Sequence, residues 1–289
     1  MSMDLKLRTH YWADPDAKAA FKQFILKIHG LDFSEWDSCG YWDHAYTPFS
    51  FFDGDTVVAS VCIYLLDALL NGENTRVAQI SGVGTLPGWR RRGLSRQLTD
   101  IGLRWAQGKH QGVFLFSDTD AIPYYEKCGF NAVNEYVETT KIDPVSNCGG
   151  AVNLDPGSEQ DLDRIYEYAR IRTPVSRKFS VLNARLTMFH VLYALRDCIF
   201  EIPDLDCLVF CKRENGILCI YDIVGKQVPG LDQLYPYLAD TNDQIIEFHF
   251  GADKLGLKNK GARLLVGNNP FVKGAFPIEM PVFPFTSRA

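Results

Sequence analysis

The 289-residue chain is 46% hydrophobic and 22% charged, ordinary values for a soluble globular protein that exclude disorder as its main state, and its length predicts about two domains at ~150 residues each. Thirty Lys and Arg against thirty-five Asp and Glu leave a net charge of -5, which argues against a dedicated nucleic-acid binder, since such domains are usually basic. The longest apolar stretch, residues 57–66, is too short for the ~20 residues of a bilayer helix, and residues 1–8 are polar with no apolar leader core, so the chain is expected in the cytoplasm with no membrane partner.

In chain order, Asp14 followed by Pro15 predicts a helix start, an N-cap and a first-turn proline. Ala19, Phe21, Phe24, Ile25 and Ile28 form its apolar side, and Gly30 stops it. Residues 31–47 read as a loop rich in aromatics (Phe33, Trp36, Tyr41, Trp42, Tyr46), part of a 13% aromatic content that points to large cores or an aromatic-lined cleft. Strands are predicted over 49–52 and 56–66, joined at Asp53-Gly54, and over 75–86 after the Asn71-Gly72 turn. Residues 93–107 predict a helix, because Leu94, Leu98, Ile101 and Trp105 make one apolar stripe and Gly108 is a good stop. A short, wholly apolar strand over 113–116 suits a sheet covered on both faces. A short helix over 122–128, ended by Gly129, and a strand over 132–142 complete this half.

Pro144, Ser146, Asn147, Gly149 and Gly150 mark a boundary over residues 143–153. The chain then restarts in the same style. Ser158-x-x-Asp161 resembles a capping box before Leu162, Ile165, Tyr166 and Ala169. A second helix is predicted over 181–196, a hairpin over 206–212 and 216–223 around Asn215-Gly216, a helix marked by Leu231, Leu234, Tyr235 and Leu238, and a strand over 244–250. The order of elements repeats the first half, and Lys254-Leu255-Gly256-Leu257 echoes Lys127-Cys128-Gly129-Phe130. The eight cysteines are read as reduced core thiols. No His or CxxC pair joins Cys207, Cys211 and Cys219 in a zinc pattern, and no metal is expected. Residues 271–285, with Pro277, Pro281 and Pro284, cannot form a regular helix. They are expected to run as an edge strand or a strap that brings the chain end near the cleft.

The stretch richest in chemistry runs from Val83-Gly84-Thr85 to Arg90-Arg91-Arg92-Gly93-Leu94-Ser95-Arg96. A strand feeds a tight basic turn that opens a helix. Several backbone N–H groups then converge at the positive end of the helix dipole, where a phosphate can bind. Gly93 lets a phosphate approach the backbone closely, and Ser95 is small enough to permit the same. The absence of Gly-Lys-Ser/Thr and of GxGxxG excludes a nucleotide-hydrolysing P-loop and a dinucleotide site.

With Tyr125-Glu126-Lys127-Cys128-Gly129-Phe130 some thirty residues further on, this turn resembles the GNAT family of acetyl-CoA-dependent N-acetyltransferases. The family signature Arg/Gln-x-x-Gly-x-Gly/Ala is met by Arg90, Gly93 and, with a mild departure, Ser95. Asp118 stands where many members carry an Asn near the coenzyme. The resemblance implies an α/β (α+β) chain of two tandem GNAT-like domains, each a mixed, mostly antiparallel central sheet flanked by helices. Residues 1–145 would be the acetyl-CoA-binding catalytic domain and residues 151–289 a degenerate copy without a coenzyme site. It further implies direct transfer of the acetyl group of acetyl-CoA to a small-molecule or peptide amine in a ternary complex. Val83, Gly84 and Thr85 would line the thioester and pantetheine arm. Arg90, Arg91, Arg92, Gly93, Leu94, Ser95 and Arg96 would hold the pyrophosphate. Tyr125 would protonate the departing thiolate, since a tyrosine with a pKa of ~10 keeps its proton at neutral pH. The alternative is a non-catalytic acetyl-CoA-binding regulatory module.

Taken singly, Arg90-Arg91-Arg92 is a solvated or nucleic-acid-facing charge run and Tyr125 a core aromatic; position and register give both their functional reading. His44, beside Asp43, is either a general base or a surface loop residue. Residues 76–86 carry no carboxylate, which leaves the base unassigned or served by a water chain. The phosphate-binding pattern fails at Val224-Gly225-Lys226-Gln227, so the second half is expected to bind no coenzyme and to wall one side of the acceptor cleft. An acidic protein with aromatics over residues 36–46 favours a cationic or aromatic amine. The Arg-Arg-Arg-Gly-Leu turn also resembles the enhanced intracellular survival acetyltransferases. Those are longer and add a sterol-carrier-like domain, for which too few residues remain here.

Overall fold

The computed structural model describes residues 5–143, 145–276, 279–280 and 282–289. Pro144 of the predicted boundary and Pro277 and Pro281 of the predicted strap lie outside them. The first half runs β1 (Lys6–Thr9), α1 (Pro15–His29), α2 (Ser34–Ser38), β2 (Tyr46–Asp53), β3 (Thr56–Leu70), β4 (Glu73–Thr85), α3 (Leu94–Ala106), β5 (Gly112–Phe116), α4 (Ile122–Lys127), β6 (Asn131–Ala132) and β7 (Asn134–Lys141). The second runs β8 (Val152–Asn153), α5 (Glu159–Ile171), β9 (Phe179–Val181), α6 (Ala184–Tyr193), β10 (Ile199–Ile202), β11 (Cys207–Glu214), β12 (Ile217–Gly225), α7 (Leu231–Leu238), β13 (Ile245–Phe248), β14 (Gly261–Leu264), β15 (Pro270–Gly274) and β16 (Glu279–Met280).

Local chemistry sets the helix ends. The Asp14 carboxylate accepts from Ala17 N–H at 3.0 Å and so satisfies one orphan donor of α1. Gly30 closes the helix at φ +70°. Ser158 caps α5 from Asp161 N–H at 3.4 Å. Residues 31–47 are not all loop: α2 forms there. Trp36 N–H donates to the Tyr193 hydroxyl and Trp36 Nε1–H to the Arg185 carbonyl, both at 3.0 Å. These contacts with α6 come from the second half of the chain, beyond the reach of local sequence. The helix predicted over 181–196 is likewise shorter, because residues 179–181 pair with β3 as a strand.

Two mixed, mostly antiparallel sheets result, with strand orders β1-β2-β3-β4-β5-β15-β6 and β8-β10-β11-β12-β13-β7-β14; β9 joins the first through β3 and β16 the second through β7. The orders correspond position by position. In each sheet the fourth and fifth strands are parallel (β4 with β5, β12 with β13), and the sixth comes from the other half of the chain. β15 lies antiparallel between β5 and β6, and β7 antiparallel between β13 and β14. The single strand predicted over 132–142 is therefore two. β6 stays in the first sheet, while β7 crosses to the second.

The exchange welds the halves. Phe114 of β5 stacks on Phe283 at 5.2 Å and meets Phe179 and Phe276 edge-on at 5.6 and 5.5 Å, three rings from the second half. All four are buried. At Gly112 a Cβ would meet Phe276 at 2.7 Å, so glycine at the start of β5 lets the strap pack against the sheet.

Candidate active site

β4 and β5 pair only at Val77–Gly112, Ala78–Val113 and Gln79–Phe114. Beyond that point β5 follows β15 as far as Phe116, while β4 keeps only β3. The strands part, and the free edge of β4 faces a cleft. A bulge sharpens the departure. The register jumps from Cys62–Ser81 to Ser60–Gly84, so Gly82 and Val83 stand opposite Val61 alone. Gly82 sits at φ +54°, and a Cβ there would meet the Tyr46 hydroxyl at 3.0 Å and Cys62 Sγ at 3.1 Å.

At the outer end of β4 the chain turns through Arg91 (φ +63°) and Gly93 (φ +75°) into α3. Gly93 is the N-cap, with no side chain to satisfy the first N–H groups of α3, and nothing lies within 4 Å of where its Cβ would be. These donors at the positive helix end suit an anion. Thr85 and Ser95 hold the turn to the strand through a hydroxyl pair at 2.8 Å, and Arg90 Nε donates to the Thr85 carbonyl at 3.1 Å.

Two adjoining cavities, of about 500 and 690 Å³, follow this path. Gly84, Thr85, Gly93, Leu94 and Arg96 line the smaller. Val83, Arg90, Arg91 and Ser95 line both. Arg92 is placed elsewhere: its guanidinium lies over the Trp89 ring at 4.8 Å and donates to the Gly88 carbonyl at 2.9 Å. Gly84 serves packing as well, since a Cβ there would meet Ile28 at 2.7 Å.

Tyr125 lies on α4 in the wall of the larger cavity. Its ring is 5% exposed and packs on Tyr124, Phe271 and Phe130 at 4.9, 5.9 and 6.1 Å. Among the described residues its hydroxyl has no hydrogen-bond partner. Burial first, then the charges of Tyr124, Cys128 and Asp118, push its pKa far above the usual tyrosine range. Tyr124 is bonded to Thr99 Oγ1 at 2.8 Å, and burial pushes it up to about 12. β15 supports α4, because Lys273 Nζ donates to the Cys128 carbonyl at 3.2 Å.

His29 and Asp118 line both cavities, and the local sequence gave no sign of the first. Burial lowers the His29 pKa, against the pull of Asp118. His44 is exposed, edge-on to Trp12 at 5.4 Å, and does not line the cleft. From the second half, Leu186, Phe189 and Ala289 reach the larger cavity.

In the second sheet the matching gap is filled by protein. β12 and β13 pair from Ile217–Ile245 to Ile220–Phe248 and then part. Phe285 N–H donates to the His249 carbonyl at 3.0 Å, its ring packs on Tyr221 at 5.1 Å, and Thr286 bonds Asp222. Asp222 is also clamped by Arg172 through two bonds of 2.8 Å, both residues being almost wholly buried. The sheet also brings together Cys219, Glu247 and His249, with ligand atoms within 4.8 Å of one another, although Arg263 already grips both Glu247 oxygens at 2.9 and 2.7 Å.

The parted parallel strands lie beside a helix start that suits an anion, and the chain carries an acyl-CoA N-acyltransferase domain. Its residues 8–130 match the model of the acetyltransferase (GNAT) family, and this part of the chain is a GNAT domain. Among solved structures, a probable N-acyltransferase from Enterococcus faecalis V583 is 13% identical, with a TM-score of 0.60 over 93% of this chain and 72% of its own. A GCN5-related N-acetyltransferase from Kribbella flavida is 16% identical, with a TM-score of 0.57 over 93% of this chain and 71% of its own. Eis1 from Mycobacterium abscessus is 16% identical, with a TM-score of 0.54 over 93% and 73%. At such identities the likeness is one of fold. No curated protein sequence matches the chain.

Proposed function

We propose that the chain moves the acetyl group of acetyl-CoA to an amine by direct attack within a ternary complex. The observation that carries this reading is the single path joining the α3 start, the free edge of β4 and Tyr125. The pyrophosphate sits on the backbone donors of Gly93, Leu94 and Ser95, with Arg90, Arg91 and Arg96 at the rim. The pantetheine arm runs along Val83, Gly84 and Thr85, and the thioester lies in the β4–β5 gap. The amine nitrogen attacks the carbonyl carbon, and the oxygen that gathers charge is received by N–H groups of the free β4 edge. As the C–S bond breaks, Tyr125 gives its proton to the thiolate. The proton lost by the amine leaves to solvent, and Tyr125 takes one back from solvent to close the cycle.

In this reading residues 1–145 and 151–289 are two GNAT-like units that exchange their sixth strands, and only the first binds coenzyme. The Phe285–Thr286 plug in the second gap supports that division. The reading places the protein in the cytoplasm. Its eight cysteines are unpaired, and among the described residues no helix is long and apolar enough to cross a membrane. The test is incubation with acetyl-CoA and a panel of amines, following free thiol and the acetylated amine by mass. Thiol release matched by acetylated product is expected. Tight acetyl-CoA binding without product would leave a binding module instead.

A further inference from the structure

We infer that the acceptor is a monoamine carried on a flat, uncharged apolar body, an arylalkylamine in chemical class. The inference rests on the acyl-transfer reading above and concerns what occupies the rest of its cleft. Beyond the β4–β5 gap the larger cavity continues into a recess between α1, α2 and α6. Its end wall is aromatic. Phe189 meets Trp36 edge-on at 5.3 Å and Phe33 at 5.8 Å, and Trp36 meets Tyr46 at 5.8 Å. Ile25 and Leu186 complete it.

Charge is distributed to one side of the cavity. Beside the terminal main-chain group of Ala289 and the tyrosines Tyr46, Tyr124 and Tyr125, its charged or titrating liners are His29, Arg90, Arg91, Asp118 and Asp120. They come from the end of α1, the turn before α3 and the segment after β5, which is the coenzyme side. None comes from α2, β2 or α6. The buried acid of that region, Asp43, does not line the cavity, and its carboxylate is occupied by Tyr64 OH at 3.1 Å, Ala45 N–H at 2.7 Å and Asn183 Nδ2 at 3.3 Å. Trp36 and Phe33 are 1% and 4% exposed, so they form a packed wall rather than open ring faces set around an ammonium. Hydroxyls interrupt the apolar lining where it meets β2 and β4, those of Tyr46 and Ser81. Ser81, buried at the start of the bulge, lies beside the Tyr46 hydroxyl and can turn its own hydroxyl to one neutral substituent or the attacking amine.

A second ammonium at the aromatic end would lose its water with no side-chain carboxylate of α2, β2 or α6 to replace it, so diamines and polyamines are disfavoured there. An apolar ring loses nothing there and gains from leaving water. The recess wall from α6 belongs to the second half of the chain, which gives that half a part in choosing the acceptor.

The experiment compares kcat/KM of the full chain, with saturating acetyl-CoA, for 2-phenylethylamine, butylamine and 1,4-diaminobutane. Phe189→Ala and the volume-keeping Phe189→Leu are run beside it, with folding checked by circular dichroism and acetyl-CoA affinity by calorimetry. The arylalkylamine should exceed the diamine by about tenfold or more. Phe189→Ala should lose about tenfold on the arylalkylamine with unchanged coenzyme affinity, and Phe189→Leu should keep most of the rate. The comparison on the unaltered chain stands even if a variant misfolds. Preference for the diamine would overturn this inference alone. So would hexanoyl-CoA outperforming acetyl-CoA with that advantage lost in Phe189→Ala, since the recess would then hold the acyl chain. Coenzyme binding with no amine turned over would overturn the acyl-transfer reading and this inference with it.

Discussion

Gln79 holds Ala289 by both backbone groups: Ala289 N–H donates to Gln79 Oε1 at 3.0 Å, and Gln79 Nε2–H donates to the Ala289 main-chain oxygen at 3.1 Å. Gln79 is the last residue of β4 to pair with β5, so the C-terminal segment is fastened where the two strands part. Arg288, bonded to buried Glu135 at 2.8 Å, and Phe285, in the second gap, anchor it on the way. One strap thus fills one gap and borders the other.

Gln79→Leu removes both hydrogen bonds, which contribute about 0.5–1.5 kcal/mol each. Hydrogen exchange over residues 285–289 should speed up, and the amine KM should rise while acetyl-CoA affinity holds. Exchange unchanged from the unaltered chain would show that the strap does not depend on this grip.

Tyr125→Phe keeps the ring and its packing but removes the proton. Turnover is expected to fall ~10²-fold or more, with acetyl-CoA affinity nearly unchanged. Because burial raises the pKa of Tyr125, its hydroxyl stays protonated through neutral and moderately alkaline pH. The rate should therefore show no alkaline loss below about pH 10 that vanishes in Tyr125→Phe. Equal turnover in the two proteins would return the residue to the core.

The strand exchange predicts that a chain ending at Asn147 will not fold. It lacks β15, which fills the place between β5 and β6, and its β7 has lost β13 and β14. The full chain should melt in one transition, with calorimetric and van't Hoff enthalpies equal. Two separate transitions would contradict the welded arrangement.

His190 gives a pH signature. Burial brings its pKa down to about 4; its bond to the Arg288 carbonyl and the charge of Asp222 oppose this, while the Arg288 charge adds to it. The ring is neutral when folded, with Nε2 at 2.6 Å from that carbonyl. The unfolded chain protonates near pH 6.5. Between pH 6.5 and 4 it takes up a proton that the folded chain refuses, so stability falls as pH drops through this window. His249, also lowered to about 4, acts with the same sign. Denaturant titrations should show that slope, shallower in His190→Gln.

Much of the first half is legible in the sequence because its signals are local. Asp14 and Gly30 take the cap positions the sequence predicts, Gly93 becomes the N-cap of a helix predicted to begin with it, and Asn71-Gly72 and Asn215-Gly216 take the positive φ that their hairpin turns need. The basic turn and Tyr125 fall in one cleft because both motifs sit at ends of neighbouring elements. What was not legible is long-range. A short segment such as Pro270–Gly274, with Phe271 and Val272 at its centre, suits a strand but does not announce its partner, and nothing near Asn134–Lys141 says that it leaves its own sheet. Phe189 and Leu186 fall within the helix predicted over 181–196, but their place on the cavity wall depends on α6 packing on α2 through Trp36.

Calorimetric titration of the full chain with acetyl-CoA tests the central claim most directly. Binding at one site per chain is predicted, greatly weakened in Gly93→Val, where a side chain would occupy the approach to the α3 donors. Circular dichroism of the variant guards against strain at φ +75° as the cause. Absence of binding, two sites per chain, or full affinity in folded Gly93→Val would contradict the account.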